Sequence, residues 1–421
     1  MAKPSQTQNR AAQMKKRLRR AVRALLDSSA GGYLKSLISD SGPARRTGIH
    51  THGSGRSAEV IAYFGDSPDK LYQLEQWLPA LEHLDQNRPV ALVLRNAESF
   101  AAIKRVTGLP LVLAETQPDL TDLYAETDYK LAIYVNNSMR NFQSIAEPSI
   151  IHVHVDHGES DKISSISNQL KAYDKVFVAG RAAEERCLRA LWGFDRSRME
   201  LIGRPPLDGD FTPVLPPDDR LTVLYAPTWQ GENEGNNFTS VDIFGPDIVR
   251  TLLESGARVV YRPHPRMAEM GASAVQRADE EIRTLLSRAG ASRGGHVTAL
   301  HHRLFDLFED ADALITDVSS VGLDFLYLHP SKALLLTDRH NDREKMRSLS
   351  PIGAELAEIT SDTIPDLPRL LENSRTDESA LAAREKLKAH YFGEPASDQS
   401  TARFIKAIES AISERFEAKR A

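Results

Sequence analysis

Histidines, arginines and a pair of serines occur in this sequence at points where an apolar run gives way to small and charged residues. His157 lies in Val155-Asp156-His157-Gly158-Glu159-Ser160-Asp161-Lys162, directly after the β-branched stretch Ile150 to Val155. An imidazole there can exchange a proton near neutral pH, and Gly158 lets backbone approach a ligand closely. His264 lies in Tyr261-Arg262-Pro263-His264-Pro265, after Arg258 to Tyr261. Two prolines fix the chain around it, which suits a group that must meet a phosphate, and Arg262 and Arg266 add cationic donors. A third stretch, Thr316-Asp317-Val318-Ser319-Ser320-Val321-Gly322-Leu323-Asp324, passes from strand to helix through small hydroxyl residues. The unsatisfied N–H groups of a new helix, with the hydroxyls of Ser319 and Ser320, form a phosphate cradle. Each stretch alone has a plain structural explanation, because Asp and Ser cap helices and histidines commonly end strands. Two histidines at matching strand ends of two repeated patterns shift the balance toward phosphate chemistry.

Other patterns compete. His152, His154, Asp156 and His157 spell H-x-H-x-D-H, the spacing of a binuclear metallo-hydrolase site; in a strand, His152 and His154 share one face. That motif belongs after a β-rich antiparallel start. Here a βαβ series surrounds it, so burial of both rings along one sheet face is the expectation. Asp310-Ala311-Asp312 precedes its strand and reads as a solvated helix end, while His301 and His302 read as a helix start. Trp229 reads as core, and Gly231 to Asn237 as a loop able to cover a ligand.

The elements that position these residues follow from periodicity. Short apolar runs at Val60–Phe64, Pro89–Leu94, Leu111–Leu113, Leu131–Val135, Ile150–Val155 and Lys175–Val178 alternate with amphipathic segments, and parallel pairing needs such crossovers. A second set runs through Thr222–Tyr225, Arg258–Tyr261, His296–Thr298, Ala313–Ile315 and Ala333–Leu336. The prediction is an α/β chain with two doubly wound, Rossmann-like domains facing a cleft, residues 51–205 and 215–385, with C-terminal helices over 386–421. Gly203 to Asp219, holding five prolines, is the linker. Ligands of open α/β sheets bind beyond the carboxyl ends of strands, which is where the three stretches lie.

At 421 residues the chain is long enough for two domains of ordinary size. Cys187 is the single thiol, which excludes an internal disulfide and a cysteine-based metal site and suits a reducing cytosol. No apolar run reaches the length of a membrane span, and Arg23 interrupts Ala21 to Leu26, so neither a span nor a secretory signal is expected. Residues 1–50 carry eleven Lys and Arg against Asp27 and Asp40. Met14, Leu18, Val22 and Leu25 recur at helical spacing among them, describing a basic amphipathic helix whose expected partner is an anionic membrane surface rather than nucleic acid.

In combination these stretches resemble the CDP-glycerol glycerophosphotransferase family, the teichoic-acid primases and polymerases. The resemblance covers roughly residues 150–340 and rests on His157-Gly158 followed by Lys162, on Leu224-Tyr225-Ala226-Pro227-Thr228-Trp229, on Arg262-Pro263-His264-Pro265, and on Thr316 to Val321 with Asp324-Phe325. It implies a glycosyltransferase-B architecture and transfer of glycerol phosphate, or a related polyol phosphate, from a CDP-activated donor to a lipid-linked or polymeric acceptor in cell-wall biogenesis. CMP would be released on the cytoplasmic face of the membrane. It implies His157 and His264 as catalytic, Arg262, Thr228, Asp317, Ser319, Ser320 and Asp324 as donor- or phosphate-binding, and Gly158 and Lys162 on the acceptor side, without metal or cofactor. Two departures stand out. The family's Thr-Pro-Leu-Lys after His-Gly is replaced by Glu159, Ser160 and Asp161 before Lys162, which places negative charge near the acceptor side; and Val318 replaces an aromatic. A nucleotide-sugar glycosyltransferase or epimerase would share the architecture, and a non-catalytic binding protein would share the fold.

The basic segment yields a first prediction: deleting residues 1–27 weakens sedimentation with anionic vesicles, and added salt mimics the deletion. Equal sedimentation of full-length and shortened protein would remove the segment from membrane binding.

Overall fold

The computed structural model describes residues 48–162, 166–231, 237–270, 273–292, 294–393 and 399–417. The expected basic helix and most of the expected Gly231–Asn237 loop lie outside the described residues.

Two sheets dominate. The first has eight strands in the order β1-β4-β3-β2-β5-β6-β7-β8. Its strands are β1 (His50–His52), β2 (Val60–Phe64), β3 (Val90–Leu94), β4 (Leu111–Leu113), β5 (Leu131–Tyr134), β6 (Ile151–His154), β7 (Lys175–Val178) and β8 (Met199–Leu201). All pairings are parallel except that of β1 with β4. The second sheet has six parallel strands in the order β11-β10-β9-β12-β13-β14: β9 (Thr222–Ala226), β10 (Arg258–Tyr261), β11 (Val297–Thr298), β12 (Ala313–Thr316), β13 (Ala333–Thr337) and β14 (Ala357–Ile359). The predicted α/β class with two doubly wound sheets is what the chain adopts. Central strands such as Val60–Phe64 and Val90–Leu94 are buried at every residue, the signature of parallel strands covered on both faces.

The stretch after Ile202 is no free tether. The Val214 and Leu215 amides donate to Asp310 at 2.9 and 3.1 Å, and Arg258 donates to the Pro216 carbonyl at 2.8 Å. Asp310 and Asp312 thus have structural work: Asp312 accepts from the Thr222 amide at 2.8 Å, at the start of β9. His301 and His302 precede the helix Leu304–Asp310, whose N-cap is Arg303.

The chain then crosses back. Helix Glu378–Phe392 spans the boundary predicted at 385 and packs against Arg181–Ala190 of the first domain and Ser320–Leu328 of the second. Helix Ser400–Ile412 returns to the first sheet, where Phe404, Ile408 and Ile412 are buried with Trp77 and Phe177. Burial of each large side chain contributes about 1.5–3 kcal/mol to this docking. Glycine permits both crossings: a Cβ on Gly180 would lie 2.2 Å from the Tyr391 carbonyl oxygen, and one on Gly203 (φ 75°) would lie 2.2 Å from Ser400 Oγ. The two sheets are therefore strapped together by the C-terminal helices.

Candidate active site

A cavity of about 450 Å³ lies where strand ends from both sheets meet. The first domain supplies Asp66 after β2, Asn136 to Ser138 after β5, and Asp156, His157, Gly158, Ser160 and Lys162 after β6. The second supplies Thr228 and Trp229 after β9, His264 and Arg266 after β10, and Ser319 to Val321 after β12.

His157 is held from three sides. Asp156 takes up the left-handed backbone conformation (φ 56°), unusual for a non-glycine residue and typical of functional turns. Asp156 Oδ1 accepts from the His157 amide at 2.7 Å and lies 2.9 Å from His157 Nδ1, near enough to pair though not aligned as a hydrogen bond. Burial alone would raise the Asp156 carboxyl, but hydrogen bonding and charge from His157, with help from His154, hold it below the ordinary carboxylate range. Trp77 Nε1 donates to the Asp156 carbonyl at 2.8 Å, and its ring packs 5.3 Å from Phe404 of the returning C-terminal helix. Arg204 Nη2 donates to the His157 carbonyl at 2.6 Å while its Nε donates to Asp324 at 3.0 Å. Asp324 belongs to the second domain, so a buried ion pair across the domain boundary fixes the histidine's backbone.

A second part of the cavity gathers cations and N–H donors. His264 Nδ1 accepts from the Arg266 amide at 3.2 Å, which leaves the imidazole proton on Nε2. Burial, reinforced by the charges of Lys162, Arg266 and Arg262, pushes His264 down from 6.5 to about 3, so at neutral pH it is an uncharged donor. The Arg266 guanidinium stacks 3.7 Å from the centre of the Trp229 ring. Ser319 caps the helix Ser320–Leu328 without a side-chain capping bond. Lys162 crosses from the first domain to donate to Thr228 Oγ1 at 3.0 Å, and burial, partly offset by Asp317, lowers it to about 8.

Of the residues singled out in the sequence, His157, Gly158, Lys162, Thr228, His264, Ser319 and Ser320 line this one cavity. Arg262, Asp317 and Asp324 do not. Arg262 Nη1 donates to its neighbour Pro263's carbonyl at 2.8 Å. Asp317 is fully buried, accepting from the Thr228 amide at 2.7 Å and the Thr337 hydroxyl at 2.5 Å; it shapes the Thr228 turn. Asp324 is the partner of Arg204. Gly158 faces the other domain: a Cβ there would lie 3.1 Å from Ser320 Cβ. Trp229 is partly buried and contributes to both core and cavity wall.

The negative charge expected near the acceptor side is not in the cleft. Glu159 and Asp161 are buried against Arg186, which contacts Glu159 through Nη2 and lies 2.9 Å from Asp161 through Nη1. Asp161 also accepts from Ser350 Oγ at 2.6 Å and Tyr391 Oη at 2.5 Å. Asp161 thereby ties the loop to the C-terminal helix through Tyr391. His152 engages both ring nitrogens, with Tyr134 Oη and the Glu147 carbonyl, each at 2.8 Å. His154 is buried 4.9 Å from the Tyr173 ring, and burial lowers both histidines. Among the described residues no group of three or more His, Cys, Asp or Glu is placed to hold a metal ion.

Residues 151–347, from β6 through β13, match the family model described as CDP-Glycerol:Poly(glycerophosphate) glycerophosphotransferase. This stretch belongs to that family. Among solved structures the chain resembles the wall teichoic acid polymerase TagF, at 16% identity over 97% of this chain and 99% of that chain, with a TM-score of 0.52. It also resembles a putative UDP-N-acetylglucosamine 2-epimerase from Listeria monocytogenes (14%, 85% and 97%, 0.56) and Alr3699/HepE from Anabaena in complex with UDP and glucose (11%, 85% and 100%, 0.51). At these identities the likeness shows the shared two-domain fold. No curated protein sequence matches the chain. The family stretch holds both histidine loops and the Ser319-Ser320 helix start, while Asp66, Gln73 and Asn136 of the first wall precede it.

Because His264 binds a proton in the unfolded chain at a pH where the folded protein refuses it, stability falls as pH drops from about 6.5 toward 3. His264→Gln therefore loses less melting temperature than wild type between about pH 7 and about pH 4.5. Equal losses would show that the imidazole is not held neutral by its surroundings.

Proposed function

We propose that the protein transfers glycerol phosphate, or a related polyol phosphate, from a CDP-activated donor to a hydroxyl of a teichoic-acid-like or other cell-surface glycopolymer acceptor, releasing CMP. The observation that carries this reading is the placement of His157, after a strand of the first sheet, and His264, after a strand of the second, in one cavity that also gathers Lys162, Arg266 and a helix N-terminus. The donor pyrophosphate lies at that helix N-terminus, where backbone N–H groups, the Ser319 and Ser320 hydroxyls and the neutral His264 Nε2–H meet its oxygens. His157, with Nδ1 turned to Asp156, presents Nε2 to the acceptor hydroxyl and takes its proton. The acceptor oxygen bonds to the distal phosphorus, the bond from that phosphorus to the bridging oxygen breaks, and CMP carries the electron pair away, its charge met by His264 and Lys162.

No helix of the described residues is long and apolar enough to cross a membrane. In this reading the basic segment before residue 48 brings the enzyme to the anionic inner face of the membrane, where a lipid-linked acceptor would be found. A nucleotide-sugar enzyme of the same fold would prefer UDP-sugars, which calorimetry beside CDP-glycerol separates.

The two histidines have different tasks. His157→Ala should lose about 10²–10⁴-fold in turnover and keep donor affinity, whereas His264→Ala should lose both. Calorimetry with CDP-glycerol and single-turnover CMP release give the comparison, with melts confirming folding. If His157→Ala abolishes donor binding and His264→Ala leaves it intact, donor and acceptor must exchange walls.

A further inference from the structure

The cavity is electrically two-sided. Lys162, Arg266 and the Ser320 helix start bring positive charge and N–H groups to it, while the ends of β2 and β5, with the helix Tyr72–Glu75, carry Asp66, Gln73, Asn136 and Asn137 beside Asp156. Asp66, Gln73 and Asn136 are polar residues only 6%, 9% and 5% exposed. Their arrangement is locked: Asn136 Nδ2 donates to Asp66 Oδ2 at 3.0 Å and to Gln73 Oε1 at 2.9 Å. The Asp66 backbone is pinned in turn, its carbonyl accepting from Ser99 Oγ at 3.2 Å. Lys70, 3.4 Å from Asp66 Oδ1, is 44% exposed and sits at the rim. Asn137 Oδ1 is buried without a protein partner. Tyr72 joins this wall to the reacting centre, its ring edge-on to His157 at 6.1 Å.

We infer that this wall is a subsite for an uncharged sugar, so that the residue receiving the phosphate is a glycosyl unit rather than the phosphate-bearing end of a glycerol-phosphate chain; the inference rests on the transfer reading above. A carboxylate accepts from two neighbouring hydroxyls, and amides both donate and accept, which is the recognition a ring of hydroxyls requires. A phosphate on the same wall would meet the carboxylates of Asp66 and Asp156, one of which is already paired with Lys70, and like charges brought together select against a partner. The donor's phosphates have the other part of the cavity, where positive charge and N–H groups converge.

Saturation-transfer NMR on the full chain tests this with a panel of methyl hexopyranosides and with glycerol 3-phosphate, each with and without saturating CDP. At least one hexoside should bind, Asp66→Ala should weaken it by about tenfold or more, and glycerol 3-phosphate should not displace it when CDP is present. Asn137→Ala and the isosteric Asp66→Asn should weaken it too, and they keep the test open if Asp66→Ala melts early. Absence of binding by every hexoside, displacement by glycerol 3-phosphate, or hexoside affinity unchanged in all three variants overturns the subsite. A protein that binds hexoside through Asp66 yet shows no affinity for CDP would keep the sugar subsite and overturn the transfer reading instead.

Discussion

The pairing of Arg204 with Asp324 is the constraint on which the rest of the site depends. Both groups are almost fully buried, and Arg204 spends a further donor on the carbonyl of His157. Removing one partner of such a pair leaves an uncompensated buried charge, at a cost of about 3–5 kcal/mol, so the two domains cannot part at this point without penalty. Gly158 lies against Ser320 beside it, where an added Cβ would sit 3.1 Å from Ser320 Cβ, a tighter contact than ordinary packing. An ion pair and a close glycine contact thus lie between the histidine loop and the Ser320 helix start.

Around that point the C-terminal helices supply further support. The C-terminal chain binds Asp161 through Tyr391, buries Phe404 against Trp77, and through Trp77 holds the carbonyl of Asp156. Asp156 in turn adopts a left-handed conformation that turns its carboxylate toward His157. In the proposed transfer, proton acceptance at His157 and charge neutralisation near His264 need different electrostatics within one cavity. The first sheet supplies His157 and the second His264, with Lys162 crossing from the first domain to Thr228. His264 is kept neutral by burial and by neighbouring cations, so it offers a hydrogen bond without adding a positive charge that the unliganded cavity would have to hold.

Much of this was legible in the sequence because parallel strands and their carboxyl ends leave a pattern. The runs at Val60–Phe64, Leu111–Leu113 and Lys175–Val178 are strands over those same residues, and both histidines stand where strands end. The short edge strands β1, β8 and β14 carry three residues each and too little alternation to be read. Missing β8 had a consequence: Gly203-Arg204-Pro205-Pro206 read as linker, when Arg204 is itself a strand-end residue of the site. Glu159 and Asp161 read as cleft charges because their partner, Arg186, lies on a helix whose facing only the tertiary structure reveals. Asp66 and Asn136 also follow apolar strands, so the rule that singled out His157 would have reached them had it been applied to residues without titration near neutrality.

The most direct test of this account is a double-mutant cycle on Arg204→Gln and Asp324→Asn, read as CMP release from CDP-glycerol and as donor affinity by calorimetry. If the pair acts through the placement of His157, each single variant lowers turnover with donor affinity retained, and the double variant is no slower than the worse single one. Turnover unchanged in the folded single variants, or losses that multiply independently in the double, would show that the ion pair does not align the site.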